Sequence, residues 1–244
     1  FWCNAVPVFS NTHPGGYWNG VKTGLGLHQT DPAVTRKSLI ENWCELYGLE
    51  YNGEKPELVF NLREKQLANV LWQSDKPIFL LQSSGGLYNQ VDGAIYKWTR
   101  DMPVDMTNKI VEEFKENYNV FQVVKTNGLV AEGAIPVANE HSVMELMTIL
   151  MRSERRLFID SCLQHGAAAL DLPSTVMWIG TNPKVFGYDT HDNIVANQLP
   201  EFKLPDSFIF NYNFEGITHE CPYKTEEEIF DVDEIISSVK RQGV

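Results

Sequence analysis

The sequence is poor in cysteine. Cys3, Cys44, Cys162 and Cys221 are the four in 244 residues, they lie far apart, and no Cys-x-x-Cys pair occurs. That spacing excludes a disulfide framework and offers no zinc-ligand pattern, so a reducing compartment is the simpler expectation. Long apolar runs are missing as well. None approaches the ~20 residues of a membrane-spanning helix, and no basic stretch precedes a short apolar segment in the manner of a signal peptide. The expected location is the cytoplasm, with a peripheral position at the inner membrane as the alternative. Basic charge is scarce: 20 Lys and Arg stand against 32 Asp and Glu, for a formal net charge of -12. A surface of that sign repels a phosphate backbone, so no nucleic-acid partner is expected and any bound phosphate must be held locally. Repeats, low-complexity tracts and charge blocks are absent too, which removes a solenoid or a long disordered tail from consideration.

What is present suffices for a sizeable core, with 43% hydrophobic and 21% charged residues. Residues 1–9 (FWCNAVPVF) read as a strand entered in mid-course, the expectation being that more chain precedes them; removal of a tag or initiator is the other reading. Residues 10–35 are rich in Gly, Pro, Asn, Thr and His and predict loops. Leu39, Ile40, Trp43 and Leu46 recur at helical spacing, predicting a helix over 36–47 with Gly48 at its C-terminal cap. A short strand over 56–62 and a helix over 63–73 follow.

Beyond Pro77 the pattern changes to short apolar runs separated by amphipathic segments. Strands are predicted over 78–82, 120–124, 134–137, 156–159 and 174–179, and helices over 107–118, 141–151 and 163–170. This alternation predicts an α/β fold: an open, mostly parallel Rossmann-like sheet over 76–198, with helices on both faces and ligands beyond the carboxyl ends of the strands. Residues 199–223 read as irregular and 225–240 as a returning helix, with Thr225 and Glu228 spaced as a capping box.

The stretch 157–180 (LFIDSCLQHGAAALDLPSTVMWIG) carries the most chemical information. An apolar strand ends in Asp160-Ser161 and a helix of small residues starts at once. The N–H groups of a helix start lack intrahelical partners, and the helix dipole favours negative charge there, so a phosphate or diphosphate fits without a basic patch. Ser161 adds a hydroxyl, and His165 lies one turn on. The alternative is structural: Asp160-Ser161 as a plain helix cap and His165 as a hydrogen-bonded helix residue. Ser83-Ser84-Gly85-Gly86 after the first strand is a second loop able to cradle phosphate or merely to turn.

In sequence order, Asp160, Ser161, His165, Ala168, Ala169, Leu170, Pro173, Thr175, Val176, Gly180, Thr181 and Pro183 resemble the motif of the heptosyltransferases of glycosyltransferase family nine. Cys162 stands where the family has glycine, placing a side chain where backbone normally approaches the diphosphate. The Ser83–Gly86 loop resembles the family's loop over the donor phosphates. Lys97-Trp98 with Pro103 resembles its basic-x-Trp-Pro segment, although Tyr96 occupies the usual lysine place and the lysine is displaced by one. Ser142, Glu145 and Leu146 resemble the helix that borders the nucleotide base.

The resemblance implies the donor-binding, C-terminal half of a GT-B fold, with 1–75 a remnant of the N-terminal domain and interdomain helices and 199–244 a C-terminal extension. It implies Ser83, Ser84, Gly85, Lys97, Asp160, Ser161 and His165 as diphosphate contacts, and Ser142 and Glu145 as nucleotide contacts. The implied reaction transfers a sugar, such as a heptose in lipopolysaccharide biosynthesis, from a nucleotide sugar to a glycan or lipid-linked acceptor. No cofactor and no metal is implied, since helix start, serines and histidine supply the diphosphate donors. The family's base, an aspartate early in its first domain, has no counterpart before Arg36, so no catalytic base is assigned and the chain alone is expected to be inactive. His13 and Asp31 could face the cleft or be solvated turn residues. A GT-B-like sugar-nucleotide epimerase and a non-catalytic nucleotide-sugar-binding remnant are the competing readings.

Overall fold

The computed structural model describes residues 37–85, 97–124, 128–137, 141–199 and 221–243. The expectations for the opening strand, the loops at 10–35 with His13 and Asp31, and most of the irregular stretch after Leu199 lie outside these residues.

Helix α1 (Leu39–Leu46) starts where the Ser38 hydroxyl accepts from Glu41 N–H and stops before Gly48, whose φ of 65° suits a residue without Cβ. Helix α2 (Leu62–Leu71) is set by a reciprocal capping box between Asn61 and Glu64. The strand expected over 56–62 does not form. Phe60 is buried and Leu58 packs against the same cluster, while Val59 is 81% exposed. The alternation is therefore real, but the segment has no neighbouring strand to pair with, and its last residue opens α2.

Six parallel strands follow: β1 (Ile78–Leu81), β2 (Asn119–Val123), β3 (Ile135–Val137), β4 (Ser153–Ile159), β5 (Thr175–Trp178) and β6 (Asp192–Val195), in the order β3-β2-β1-β4-β5-β6. All five expected strands in this region are present. β6 escaped the sequence reading because only Ile194 of its four residues is buried, so this edge strand shows no apolar run.

Helix α3 (Val104–Phe114) connects β1 to β2, α4 (Val143–Thr148) with a 3-10 turn (Ile149–Arg152) connects β3 to β4, and α5 (Cys162–Ala169) connects β4 to β5. A single turn, α6 (Pro183–Phe186), is capped by Asn182 and leads towards β6. Helix α3 begins at Val104, three residues earlier than expected, with Pro103 as its N-cap residue, since proline suits a helix start.

The sheet is buried on both sides. Phe79, Leu81, Leu157 and Ile159 face one core with Met106, Ile110 and Phe114 of α3; Ile78, Leu80 and Phe158 face the other with Ala68, Met147, Leu163 and Ala167. This is why β1 reads IFLL without polar alternation. Gly166 of α5 lets α4 approach: a Cβ there would lie 2.6 Å from Met147 Sδ.

The C-terminal helix departs from expectation. Thr225 precedes only a 3-10 turn (Glu226–Glu228) and its side chain makes no capping bond; Glu228 instead accepts from Lys224 N–H. Helix α7 (Val232–Arg241) is capped by Asp231, because the break at 229–231 lets both Ile229 and Phe230 bury. Ser238 and Gln242 tie its end to Thr175 at the start of β5.

Candidate functional site

The order of the strands sets the position of the site. β1 and β4 are neighbours, and the chain builds outwards from them in opposite directions. From β1 the chain leads to α3 on one face; from β4 it enters α5 on the other. Loops leaving the carboxyl ends of these strands diverge and open a crevice, the usual ligand position of such a sheet. The sequence-predicted segments 83–85 and 160–165 meet there.

The convergence is tight. Gln82 N–H donates to Leu157 O at 2.9 Å, carrying the β1–β4 pairing one residue further. A Cβ on Gly85 would lie 3.2 Å from Ile159 Cδ1 and 3.5 Å from Ser161 Oγ, so the loop after β1 crosses the end of β4. Ser83 is buried, and its hydroxyl accepts from Gln122 Nε2 of β2 at 2.9 Å; Gln122 Oε1 in turn accepts from Ala131 N–H. Ser84, half-buried, shares a small hollow with Ser83 above β1 and β2.

Ser161 is the N-cap residue of α5 in extended backbone, yet its side chain makes no capping bond to the helix and instead accepts from Gln82 Nε2 at 3.0 Å. Asp160 is buried, with Arg100 Nη2 at 3.9 Å from its carboxylate. Gly180 secures the segment carrying Arg100, donating to Thr99 O at 2.7 Å, and Gly85 N–H donates to Asp101 Oδ1 at 3.0 Å. Lys97 opens the 3-10 turn (Lys97–Thr99) of this segment; its side chain lies outside the described part of the structure.

His165 projects from α5 with Nδ1 at 2.8 Å from the Tyr188 hydroxyl. Burial pushes its imidazole below the usual histidine range; Asp160 opposes that shift and Arg100 adds to it. Burial, then Asp160, pushes the Tyr188 phenol up, so it stays protonated. The Gln164 carboxamide nitrogen lies 3.2 Å from both ring nitrogens, so the imidazole sits between Gln164 and Tyr188. His165 also forms part of the wall of a cavity of about 320 Å³ between the Ser38–Lys55 segment and residues 183–190.

Ser142 and Glu145 are engaged with each other: Ser142 Oγ accepts from Glu145 N–H, and the Glu145 carboxylate accepts from Ser142 N–H at 2.8 Å. They cap α4 where it leaves the β3 end of the same sheet edge. Among the described residues no cluster of His, Cys, Asp or Glu suits a metal ion, and no helix is long and apolar enough to cross a membrane.

Sequence reading missed Gln82, Arg100, Asp101 and Tyr188. Each reaches the crevice by a non-local contact, and none sits in a local pattern that marks it.

A pH prediction arises from the histidines. His191 donates Nε2–H to Gln164 O at 2.9 Å and keeps Nδ1 buried without a hydrogen-bond partner among the described residues. Burial, foremost, pushes both His165 and His191 below 6.5. The unfolded chain therefore binds more protons as pH falls below that value, and their contribution to stability, full above about pH 6.5, is lost below it. The urea midpoint is expected to fall between about pH 7 and 5.5, less so in His191→Gln. Identical pH slopes in the two proteins would contradict this.

No family model and no curated protein matches the sequence. Solved structures do. The glycosyl transferase family 9 protein of Veillonella parvula DSM 2008 aligns with a TM-score of 0.53 at 11% identity, over 82% of this chain and 57% of its own. Escherichia coli ADP-heptose lps heptosyltransferase II gives 0.50 at 16%, over 72% and 59%. The dodecameric iron-containing heptosyltransferase TibC, of enterotoxigenic E. coli H10407, gives 0.51 at 14%, over 90% and 61%, in complex with ADP-D-β-D-heptose. The chain thus spans about three fifths of the length of the structures it matches. Over that length it has the open, all-parallel α/β sheet of a GT-B glycosyltransferase fold and resembles in structure the heptosyltransferases of family nine.

Proposed function

We propose that this chain is the donor-binding part of a glycosyltransferase that moves a sugar from a nucleoside diphosphate sugar to a glycan or lipid-linked acceptor. The observation carrying the reading is the meeting of the Ser83–Gly85 loop with the start of α5 at the β1/β4 crevice. Main-chain N–H groups at the head of α5, the Ser161 hydroxyl and the His165 imidazole are the diphosphate contacts in this reading. In transfer, negative charge grows on the departing nucleoside diphosphate, and donors already oriented towards it stabilise the transition state without reorganisation. No metal is required for that role. Lys97 and Asp160 are further diphosphate contacts in this reading, and Ser142 and Glu145 border the base. A heptose is the donor sugar suggested by the ADP-D-β-D-heptose complex of TibC. An acceptor in lipopolysaccharide assembly and a cytoplasmic site of action complete the reading.

A thermal-shift panel of ADP, GDP, UDP and their sugar conjugates tests the reading. A ligand at 100 times its dissociation constant adds about 2.7 kcal/mol of stability, so at least one nucleoside diphosphate is expected to raise the melting temperature. If all leave it unchanged at millimolar concentration, there is no donor site.

A further inference from the structure

Gln82 lies just beyond β1, 5% exposed, with its carboxamide against the head of α5. An amide nitrogen only donates, so the 3.0 Å contact from Nε2 fills an acceptor position on Ser161 Oγ. A hydroxyl has a single hydrogen, and here it points away from Gln82. Ser161 thus departs from the habit of N-cap serines, whose oxygen accepts from the helix's own N–H groups. Two consequences follow at one point: the Ser161 oxygen is not spent on the helix's own N–H groups, which stand beside the Cys162 thiol, and the Ser161 hydroxyl keeps a hydrogen to donate. Gln82 Oε1 is itself buried without a hydrogen-bond partner among the described residues. A buried carbonyl left unpaired is costly. This unmet acceptor lies beside the head of α5.

We propose that Gln82 is a positioning residue of the donor site: it commits the Ser161 hydroxyl to donating to the diphosphate and presents its own oxygen to a hydroxyl of the transferred sugar, a group that ADP lacks. The proposal rests on the donor-site reading above. Gly85 provides the room, since a side chain there would stand against Ser161 Oγ and Ile159. Gln82 acts through Ser161 on the phosphate and makes no phosphate contact of its own.

The test is a double-mutant cycle of Gln82→Met and Ser161→Ala in the full 244-residue chain, with ADP affinity read by calorimetry. Each single change is expected to weaken ADP binding about tenfold, and the double variant no further than either single one, because the two residues act as one unit. Multiplying effects would overturn the proposal, as would wild-type affinity in Gln82→Met. Should Gln82→Met fail to fold, Gln82→Glu carries the same question. An ionised carboxylate accepts the Ser161 hydrogen and reverses it, whereas a protonated one donates as the amide does. Affinity relative to wild type is then expected to be low at about pH 8 and to recover towards about pH 5, and that recovery must vanish with Ser161→Ala. Recovery that persists with Ser161→Ala marks plain charge repulsion and overturns the role assigned to Gln82. If the wild-type chain binds no ADP while another nucleoside diphosphate binds, the cycle is run with that ligand. If none binds, the donor-site reading falls and this proposal with it; binding with multiplying effects overturns only the role of Gln82.

Discussion

Replacing Phe158 with alanine is expected to lower the unfolding free energy by about 3–5 kcal/mol. Phe158 is fully buried on β4, in the core formed with Leu163 and Ala167 of α5 and Met147 of α4. Deleting the ring removes its transfer free energy and leaves a cavity that neighbours close only in part. The surrounding layer is poorly placed to collapse, because β4 is held by parallel neighbours on both sides, β1 and β5. The loss would also loosen the seat of α5, whose first turn forms the crevice. Urea unfolding followed by tryptophan fluorescence measures the change. A loss below about 1 kcal/mol, smaller than a typical large-to-small core substitution, would mean that Phe158 is not packed as described.

The second large effect concerns binding. His165→Ala is expected to weaken nucleoside diphosphate binding by about 1–3 kcal/mol, the range for removing one partner of a hydrogen bond to a charged group. The argument is geometric first: His165 stands one turn from Ser161 on α5, with Nδ1 at 2.8 Å from the Tyr188 hydroxyl and the Gln164 carboxamide 3.2 Å from Nε2. Tyr188→Phe should cost less, since it removes one partner of the imidazole and keeps the ring in place. Calorimetry on folded variants reads both. Unchanged affinity in His165→Ala would return this residue to a purely structural role, bonded to Tyr188 and packed along α5.

The Asp160-Ser161 junction, the Ser83–Gly85 loop and His165 were legible because each belongs to a local pattern: an apolar strand that stops at a polar pair, a run of small polar residues, a histidine one helical turn on. Their partners were not. Gln82 looks like the end of a strand, Arg100 and Asp101 like a charged turn, and Tyr188 like a loop aromatic; pairing of β1 with β4, the seating of Thr99 on Gly180 and the Tyr188 contact with His165 bring them together. Ser142 and Glu145 illustrate the opposite case, a pattern whose first use in the folded chain is a capping box.

The sequence by itself determined the α/β class, because strands buried on both faces must be apolar throughout while their crossover helices need only one apolar stripe. It also determined most element positions, since period and caps are local properties of the chain. Where apolar alternation met no partner, at 56–61, it produced no strand, and where a partner was available, at Asp192–Val195, a largely polar segment became one. The tertiary structure alone decided the strand order, and with it the crevice. Nothing in a strand's own residues states which neighbour it will pair with; that follows from how the helices cover both faces of the sheet at once.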